Sequence, residues 1–304
     1  MSSILTNTSA MTALQTLQST NSIMETTQAR VSSGLRITTA ADNAAYWSIA
    51  ETMRSDNAAL STVKDALGLG AATVDVAYTA LESVTSVVRE IKTKLVAARE
   101  PGVDRGKIQA EIGQLQEQLK SIAGSASFSG ENWLQIESGA TVPPADKEIV
   151  SSFTRAPDGS VSVGKIAITI ADFVLIDKAS AAGSETGLLD EAGGSGSSVL
   201  TIDISGVAVT AVNIDTFISE VSAVEDTLID STANVGAARN RINLQQDFVG
   251  SLMDAIDRGV GQLVDADMTE ESSKLKALQV QQQLGIQSLS IANANAQNIL
   301  ALFR

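Results

Sequence analysis

Between residues 49 and 98 the apolar positions recur with steps that alternate four and three. Ile49, Met53, Asp56, Leu60, Val63, Leu67, Gly70, Val74, Ala77, Leu81, Val84, Val88, Ile91, Leu95 and Ala98 make up the series, and only Asp56 and Gly70 lack an apolar side chain. This is the stripe of a helix that packs along another helix. It predicts one continuous helix from Ala44 to Ala98, about 80 Å long at 1.5 Å per residue. Asp42 or Asn43 is placed to cap its start, and Pro101-Gly102 to stop it. A second stripe, Ile108, Ile112, Leu115, Leu119, Ile122 and Ala126, predicts a helix folding back on the first. A third runs through Phe217, Val221, Val224, Leu228, Ser231, Val235, Ala238, Ile242, Gln245, Val249, Leu252, Ile256, Gly259 and Leu263, with Asp215 or Thr216 as its cap. A lone stripe has nothing to bury against. Residues 44–140 and 214–266 are therefore expected to form one elongated helical bundle, discontinuous in sequence.

The pattern changes between these segments. Ser160–Val163, Ile166–Ile170 and Val199–Ile204 alternate apolar and polar residues as half-buried strands do. Gly and Ser crowd residues 191–198, as in a flexible joint. Residues from about 129 to 213 thus read as a small β-rich insertion. The ends are different again. Residues 1–24 and 277–303 contain no charged side chain, yet both keep a helical spacing. Toward the C-terminus, Leu275, Leu278, Gln282, Gly285, Leu289, Ala292, Ala296, Ile299 and Phe303 step by threes and fours. Toward the N-terminus, Ile4, Met11, Leu14, Leu17, Met24 and Val31 recur less regularly. Asp267-Met-Thr-Glu270 has the form of a capping box opening the last helix. A charge-free helix is marginal alone in water, so both ends are expected to be covered by partners.

Composition narrows the function. The chain has no cysteine and no histidine, a net charge of −14, and 44% hydrophobic residues of which few are aromatic. Thiolate and imidazole chemistry, and metal sites built on those side chains, are thereby excluded. An acidic chain without a basic patch does not suit nucleic acid. No stretch approaches the roughly 20 apolar residues of a membrane span. The first basic residue is Arg30, which predicts no Sec-type leader. Gly68-Leu-Gly-Ala-Ala-Thr73 lacks the third glycine of a dinucleotide loop, and close helix packing at Gly70 explains it better. Gly102–Lys107 is one spacer short of a phosphate loop and fits a turn between helices. Asp265–Glu271 has the carboxylates of a calcium loop without its central glycine, and fits helix capping. Arg89, Glu90, Lys92 and Lys94 read as solvated helix surface. No enzymatic activity and no cofactor are expected.

Particular residues resemble a known family. Ala29-Arg-Val-Ser-Ser-Gly-Leu-Arg-Ile37 is similar to the N-terminal signature of bacterial flagellins, and Asp42-Asn-Ala-Ala45 follows where that family has an acidic-Ala-Ala run. Ile108–Ile112, Ser127–Gly130, Ile242 with Leu244, Asp265–Ser272, Ser290–Asn295 and Ile299–Arg304 resemble further stretches of it. Tyr46–Ala50 and Glu131–Leu134 look like flagellins of the rhizobial branch of α-proteobacteria. The likeness covers both ends and skips the middle. A hook–filament junction protein and a secreted coiled-coil adhesin are rival readings, and the match at Ala29–Ile37 together with the tail favours flagellin.

The resemblance implies a structural subunit that polymerises into the extracellular flagellar filament for motility. It implies export unfolded through the flagellar type III apparatus and assembly at the distal tip. Residues 1–43 with 267–304 would form the inner tube, 44–140 with 214–266 the next shell, and 141–213 a β-rich insertion facing the medium, so that deleting much of 141–213 should be tolerated for assembly. Its partners would be itself, sister flagellins, an export chaperone, the filament cap and the hook-junction proteins, with no nucleic acid and no membrane. The polymerisation core would comprise Ile4, Met11, Leu14, Leu17, Leu278, Leu289, Ala292, Ala296, Ile299 and Phe303. Two segments correspond to stretches that immune receptors sense in the family. Residues 29–50, with Arg36, Asp42 and Asn43, correspond to one read by a plant receptor kinase. Ala41, Asn43 and Tyr46 replace the lysine, aspartate and glycine of responsive versions, which implies evasion. Arg89-Glu90-Ile91 and Glu111 correspond to a patch read by an animal toll-like receptor.

Overall fold

A computed structural model describes residues 7–136, 146–178, 187–191, 193, 196–206 and 209–302, the last eight of these by their backbone alone. The chain is mainly α. Among the described residues, five α-helices, α1 (Thr8–Ser33), α2 (Ala44–Ala98), α3 (Arg105–Ser125), α4 (Ala211–Val264) and α5 (Met268–Leu302), carry three two-stranded sheets. β1 (Ser127–Phe128) pairs antiparallel with β2 (Glu131–Asn132), and β4 (Lys147–Arg155) with β5 (Val161–Ile168). β3 (Gln135–Ile136) pairs parallel with β6 (Ile176–Asp177). The chain divides into two compact units, Met1–Ala58 with Met253–Arg304, and Ala59–Leu252.

In the second unit the predicted seams are the core. Every α2 seam position from Leu60 to Ala98 is buried. Ile108, Ile112 and Leu119 of α3 are buried too, with Phe217, Val221, Leu228, Val235, Ile242 and Val249 of α4. Ser231, the polar member of the third seam, is buried because its hydroxyl donates to the Asp172 carbonyl at 2.6 Å. Asp104 caps α3, its carboxylate accepting from the Gly106 N–H at 3.0 Å, so Pro101–Asp104 is the expected turn.

Three sequence expectations need correction here. First, α4 begins at Ala211, ahead of Asp215 and Thr216. Asn213 reaches back to accept from the Thr210 N–H at 3.0 Å, which satisfies the helix start earlier. Asp215 is spent instead on an ion pair with Arg99 at 2.7 Å. Second, Val199–Ile204 is not a strand. Its apolar side chains are buried as the alternation requires, but its backbone is satisfied by glutamines of α3. Gln116 donates to the Val199 and Ile202 carbonyls at 3.0 and 3.1 Å, and Gln109 accepts from the Ile204 N–H at 2.9 Å. Third, Gly70 does not admit a neighbouring helix. It admits a strand side chain, since a Cβ there would come within 2.6 Å of Ile149 on β4. Gln245 of α4 holds the same strand, donating to the Ser151 carbonyl at 2.9 Å.

The insertion is therefore not a detachable surface flap. Ile166, Ile168, Phe173, Leu175, Leu189 and Ile202 from it are all buried.

The first unit is built differently. α1 and α5 lie side by side. A small cluster of Ile37, Ala50, Val260 and Val264, with Leu35, Trp47, Met53 and Ile256 packed on it, closes one end of the pair. Asn43 is the α2 cap, accepting from the Ala45 and Tyr46 N–H groups at 3.1 and 3.2 Å. Asp267 caps α5, accepting from the Thr269 and Glu270 N–H groups at 2.8 and 3.2 Å, which is the Asp267 half of the expected capping box.

Candidate functional site

Physical chemistry points to the α1–α5 pair, because it is the part of the fold that is helical without being buried. Only Thr20 and Thr27 of α1 are buried. Between them and around them, Ala13, Leu17, Met24 and Val31 are half-buried. Ala13, Leu17, Thr20, Met24, Thr27 and Val31 step four and three without a slip. This is the true seam of α1. The sequence pattern obscured it because alanine and threonine stand where leucine would have announced it. The facing stripe on α5 runs Glu271, Leu275, Leu278, Gln282, Gly285, Leu289 and Ala292, and of these Glu271 and Leu278 are buried. Leu17 lies over Gly285, its Cδ1 3.3 Å from where a Cβ would stand.

Polar contacts fix the register of the pair. Asn7 donates to the Ala292 carbonyl at 3.0 Å, and Gln282 to the Asn21 side-chain oxygen at 2.8 Å. Arg30 meets Glu271 at 3.3 Å. Past that ion pair, Gly34 takes the left-handed conformation (φ 73°) and returns its N–H to the Arg30 carbonyl, ending α1. The chain then pairs with the α4–α5 junction: Arg36 N–H donates to the Val264 carbonyl at 2.7 Å, and Ala266 N–H to the Gly34 carbonyl at 3.0 Å. The Ser-Ser-Gly-Leu-Arg-Ile run thus turns the chain from α1 into α2 across the start of α5.

The proposed polymerisation residues fall into groups. Met11 and Leu14 are exposed, at 64% and 45%. Leu17, Leu289 and Ala292 are half-buried within the pair, and Leu278 is buried. Ile4 and Phe303 lie outside the described residues, as do the side chains of Ala296 and Ile299. Sequence reasoning missed Thr20 and Thr27, whose hydroxyls carry no hydrophobic signal, and the exposed Val280, Leu284 and Ile291 of α5.

Of the two receptor-like segments, Arg36, Asp42, Asn43, Arg89 and Glu111 have partners inside the chain. The Arg36 guanidinium donates to the Leu263 carbonyl at 2.9 Å. Hydrogen bonds from the Thr39 and Thr38 backbone, then from the Thr38 hydroxyl, hold the Asp42 carboxyl below the ordinary carboxylate range. Glu111 pairs with Lys94 at 2.5 Å, and this pairing raises the Lys94 ammonium above its usual value. The stretch from Arg89 to Lys92 is not simply solvated. Arg89 and Lys92 converge on Glu225 of α4 at 3.1 and 2.9 Å, and Glu225 is only 8% exposed.

Lys92 first, then Arg89, hold the Glu225 carboxyl below its ordinary value. A carboxylate lowered in this way binds its proton less tightly in the folded state. Its stabilisation is complete above about pH 4–5 and is lost as pH falls through the lowered native value. Glu225→Gln should therefore lower stability at neutral pH by about 1–3 kcal/mol. It should also flatten the loss of melting temperature between about pH 5 and pH 2. Thermal melts across that range check this, and parallel curves for the two proteins would contradict it.

Among the described residues, no three His, Cys, Asp or Glu side chains gather as a metal site. None of their helices is long and apolar enough to cross a membrane.

Comparison with known proteins agrees with this organisation. The bacterial flagellin N-terminal helical region matches residues 4–138, and the bacterial flagellin C-terminal helical region matches residues 218–303. Flagellin C of Rhizobium meliloti is 54% identical over 324 aligned residues, covering all of both chains. Flagellin A of the same organism is 44% identical, and a flagellin of Brucella melitensis 44%, each again covering all of both chains.

Proposed function

Since the chain belongs to the bacterial flagellin family, with rhizobial flagellins among its relatives, we propose that its terminal pair, α1 with α5, is the part that polymerises. The protein is a structural subunit of the extracellular flagellar filament. The observation that carries the proposal is the mismatch between length and burial. α1 orders 26 residues while burying two threonines, and ordering costs about 1–2 kcal/mol per residue in backbone entropy. Neighbouring copies supply the missing cover.

In this arrangement residues 1–43 with 267–304 form the inner layer, 44–140 with 214–266 the next, and loops of 141–213 face the medium. Met11, Leu14, Leu17, Leu278, Leu289 and Ala292 act in assembly, joined by Ile4, Ala296, Ile299 and Phe303. The chain leaves the cell unfolded through the flagellar export apparatus and is added at the distal tip. Marginal helices suit that route, because little structure must be undone. An export chaperone, the cap, the hook-junction proteins and sister flagellins are its further partners. No catalytic step is assigned to it. Arg36, Asp42, Asn43, Arg89 and Glu111 serve the fold first, so an immune receptor reading them must compete with their internal partners. The test is polymerisation of a chain with a carboxylate in the seam at Leu289. Lost filaments with an intact bundle support the proposal, and normal filaments refute it.

A further inference from the structure

Methionine is the side chain of this chain most open to a peroxide. There is no cysteine to react first, and there are six methionines. Met1 lies outside the described residues, and Met24, Met53 and Met253 are half-buried among their neighbours. Met11 of α1 is 64% exposed, and Met268, the first residue of α5, is 43% exposed. The surroundings of these two differ. Met11 stands two residues ahead of Ala13 on the α1 seam, and two residues turn about 200° at 3.6 residues per turn. Its thioether therefore looks away from α5, in a stretch, residues 1–24, that holds no charged side chain. Met268 sits on an exposed helix start between the carboxylates of Asp267 and Glu270.

We propose that Met11 is an oxidation site whose state decides whether a free subunit can join a filament. The proposal rests on the reading that the terminal pair polymerises, and adds a chemical control to it. The thioether sulfur attacks one oxygen of hydrogen peroxide, an S–O bond forms, the O–O bond breaks and water leaves. The sulfur loses two electrons and the peroxide gains them. The product, a sulfoxide, is polar and chiral where the thioether was apolar. Covering it in an assembly buries its oxygen, and a buried acceptor without a donor is costly. No charged donor stands near it in residues 1–24. The same covering keeps peroxide away from Met11 once a subunit is in place. Peroxide therefore stops growth and spares the filament already made. Met268 is oxidised too, but its sulfoxide lies on a charged, exposed turn and leaves assembly unchanged.

The experiment treats monomers and preformed filaments of the full chain with the same dilute hydrogen peroxide. Peptide mass spectrometry locates the sulfoxides, and sedimentation reads filaments. Met11 should be oxidised about tenfold or more faster in monomers than in filaments, since susceptibility follows exposure. Treated monomers should give about tenfold less filament at a concentration where untreated ones polymerise fully, and filaments already formed should persist. Met11→Leu, which conserves volume, should keep its filament yield after treatment, whereas Met268→Leu should lose it. Methionine sulfoxide reductase added to oxidised monomers of the unaltered chain should restore assembly, a readout that needs no variant. Normal polymerisation of monomers carrying Met11 sulfoxide overturns the proposal. So does equal oxidation of Met11 in the two states, or protection by Met268→Leu in place of Met11→Leu. If Leu289→Asp meanwhile forms no filaments, any of these results leaves polymerisation by the terminal pair standing. Filaments from Leu289→Asp overturn that reading, and this proposal with it.

Discussion

Leu289→Asp should abolish filaments while leaving residues 59–252 folded. Leu289 is half-buried on the α5 stripe that faces α1. Residues 277–303 contain no charged side chain, and neither do residues 1–24. The nearest described ion pair in the unit, Arg30 with Glu271, lies 18 residues back along α5, about 27 Å at 1.5 Å per residue. A new carboxylate at 289 would therefore have no cation to meet. Burying a charge without a partner costs far more than a neutral polar group, whose burial alone costs about 2–7 kcal/mol. The penalty recurs in every copy of a homopolymer. Sedimentation of the purified variant reads the effect directly. A melting transition of the bundle matching that of the unaltered chain would show that the loss is one of assembly. Filaments of normal yield would contradict the account.

Deleting residues 147–204 should cost the second unit its fold. The family resemblance implies an insertion that assembly tolerates losing, and its glycines, serines and short strands look like surface material. The structure places Ile166, Ile168, Phe173, Leu175, Leu189 and Ile202 of this segment in the core. Fully burying such side chains contributes about 1.5–3 kcal/mol each. Losing six of them exceeds most of the 5–15 kcal/mol that holds a typical domain together. The deletion also uncovers the Gly70 notch and strips Gln116 of both its carbonyl partners. Urea unfolding followed by circular dichroism should show no cooperative transition, or one at a much lower midpoint. A midpoint equal to that of the full chain would show the segment to be dispensable.

What the sequence revealed depended on which residues carried the pattern. The α2 seam was legible from Leu60 to Ala98 because large aliphatic side chains mark it and the bundle covers all of it. It was misleading at Ile49, which keeps the phase but is 49% exposed, while its neighbour Ala50 takes the core position at 1%. Periodicity identifies a stripe and not its cover. The α1 seam was nearly invisible, since Thr20 and Thr27 are its most buried members. The β-type alternation at Val199–Ile204 reported burial correctly and backbone pairing wrongly, because glutamine side chains replaced a neighbouring strand. The true start of α4 depended on Asn213 reaching back three residues, a cap that two later residues, Asp215 and Thr216, imitate. The Ser-Ser-Gly-Leu-Arg-Ile run was recognised as a family signature. Its physical task, turning the chain at Gly34 and joining Leu35–Ile37 to the α4–α5 junction, needed the fold.

The central claim is that the terminal helices gain their stability from neighbouring copies. Amide hydrogen exchange, read segment by segment in the monomer and in the filament, tests it most directly. Exchange reports local opening free energy, which approaches zero for helices with little buried contact. In the monomer, α1 and α5 should exchange almost freely while residues 60–98 and 217–249 stay protected, and in the filament α1 and α5 should become as protected as the bundle. Equal protection of α1 and α5 in the two states would contradict the account.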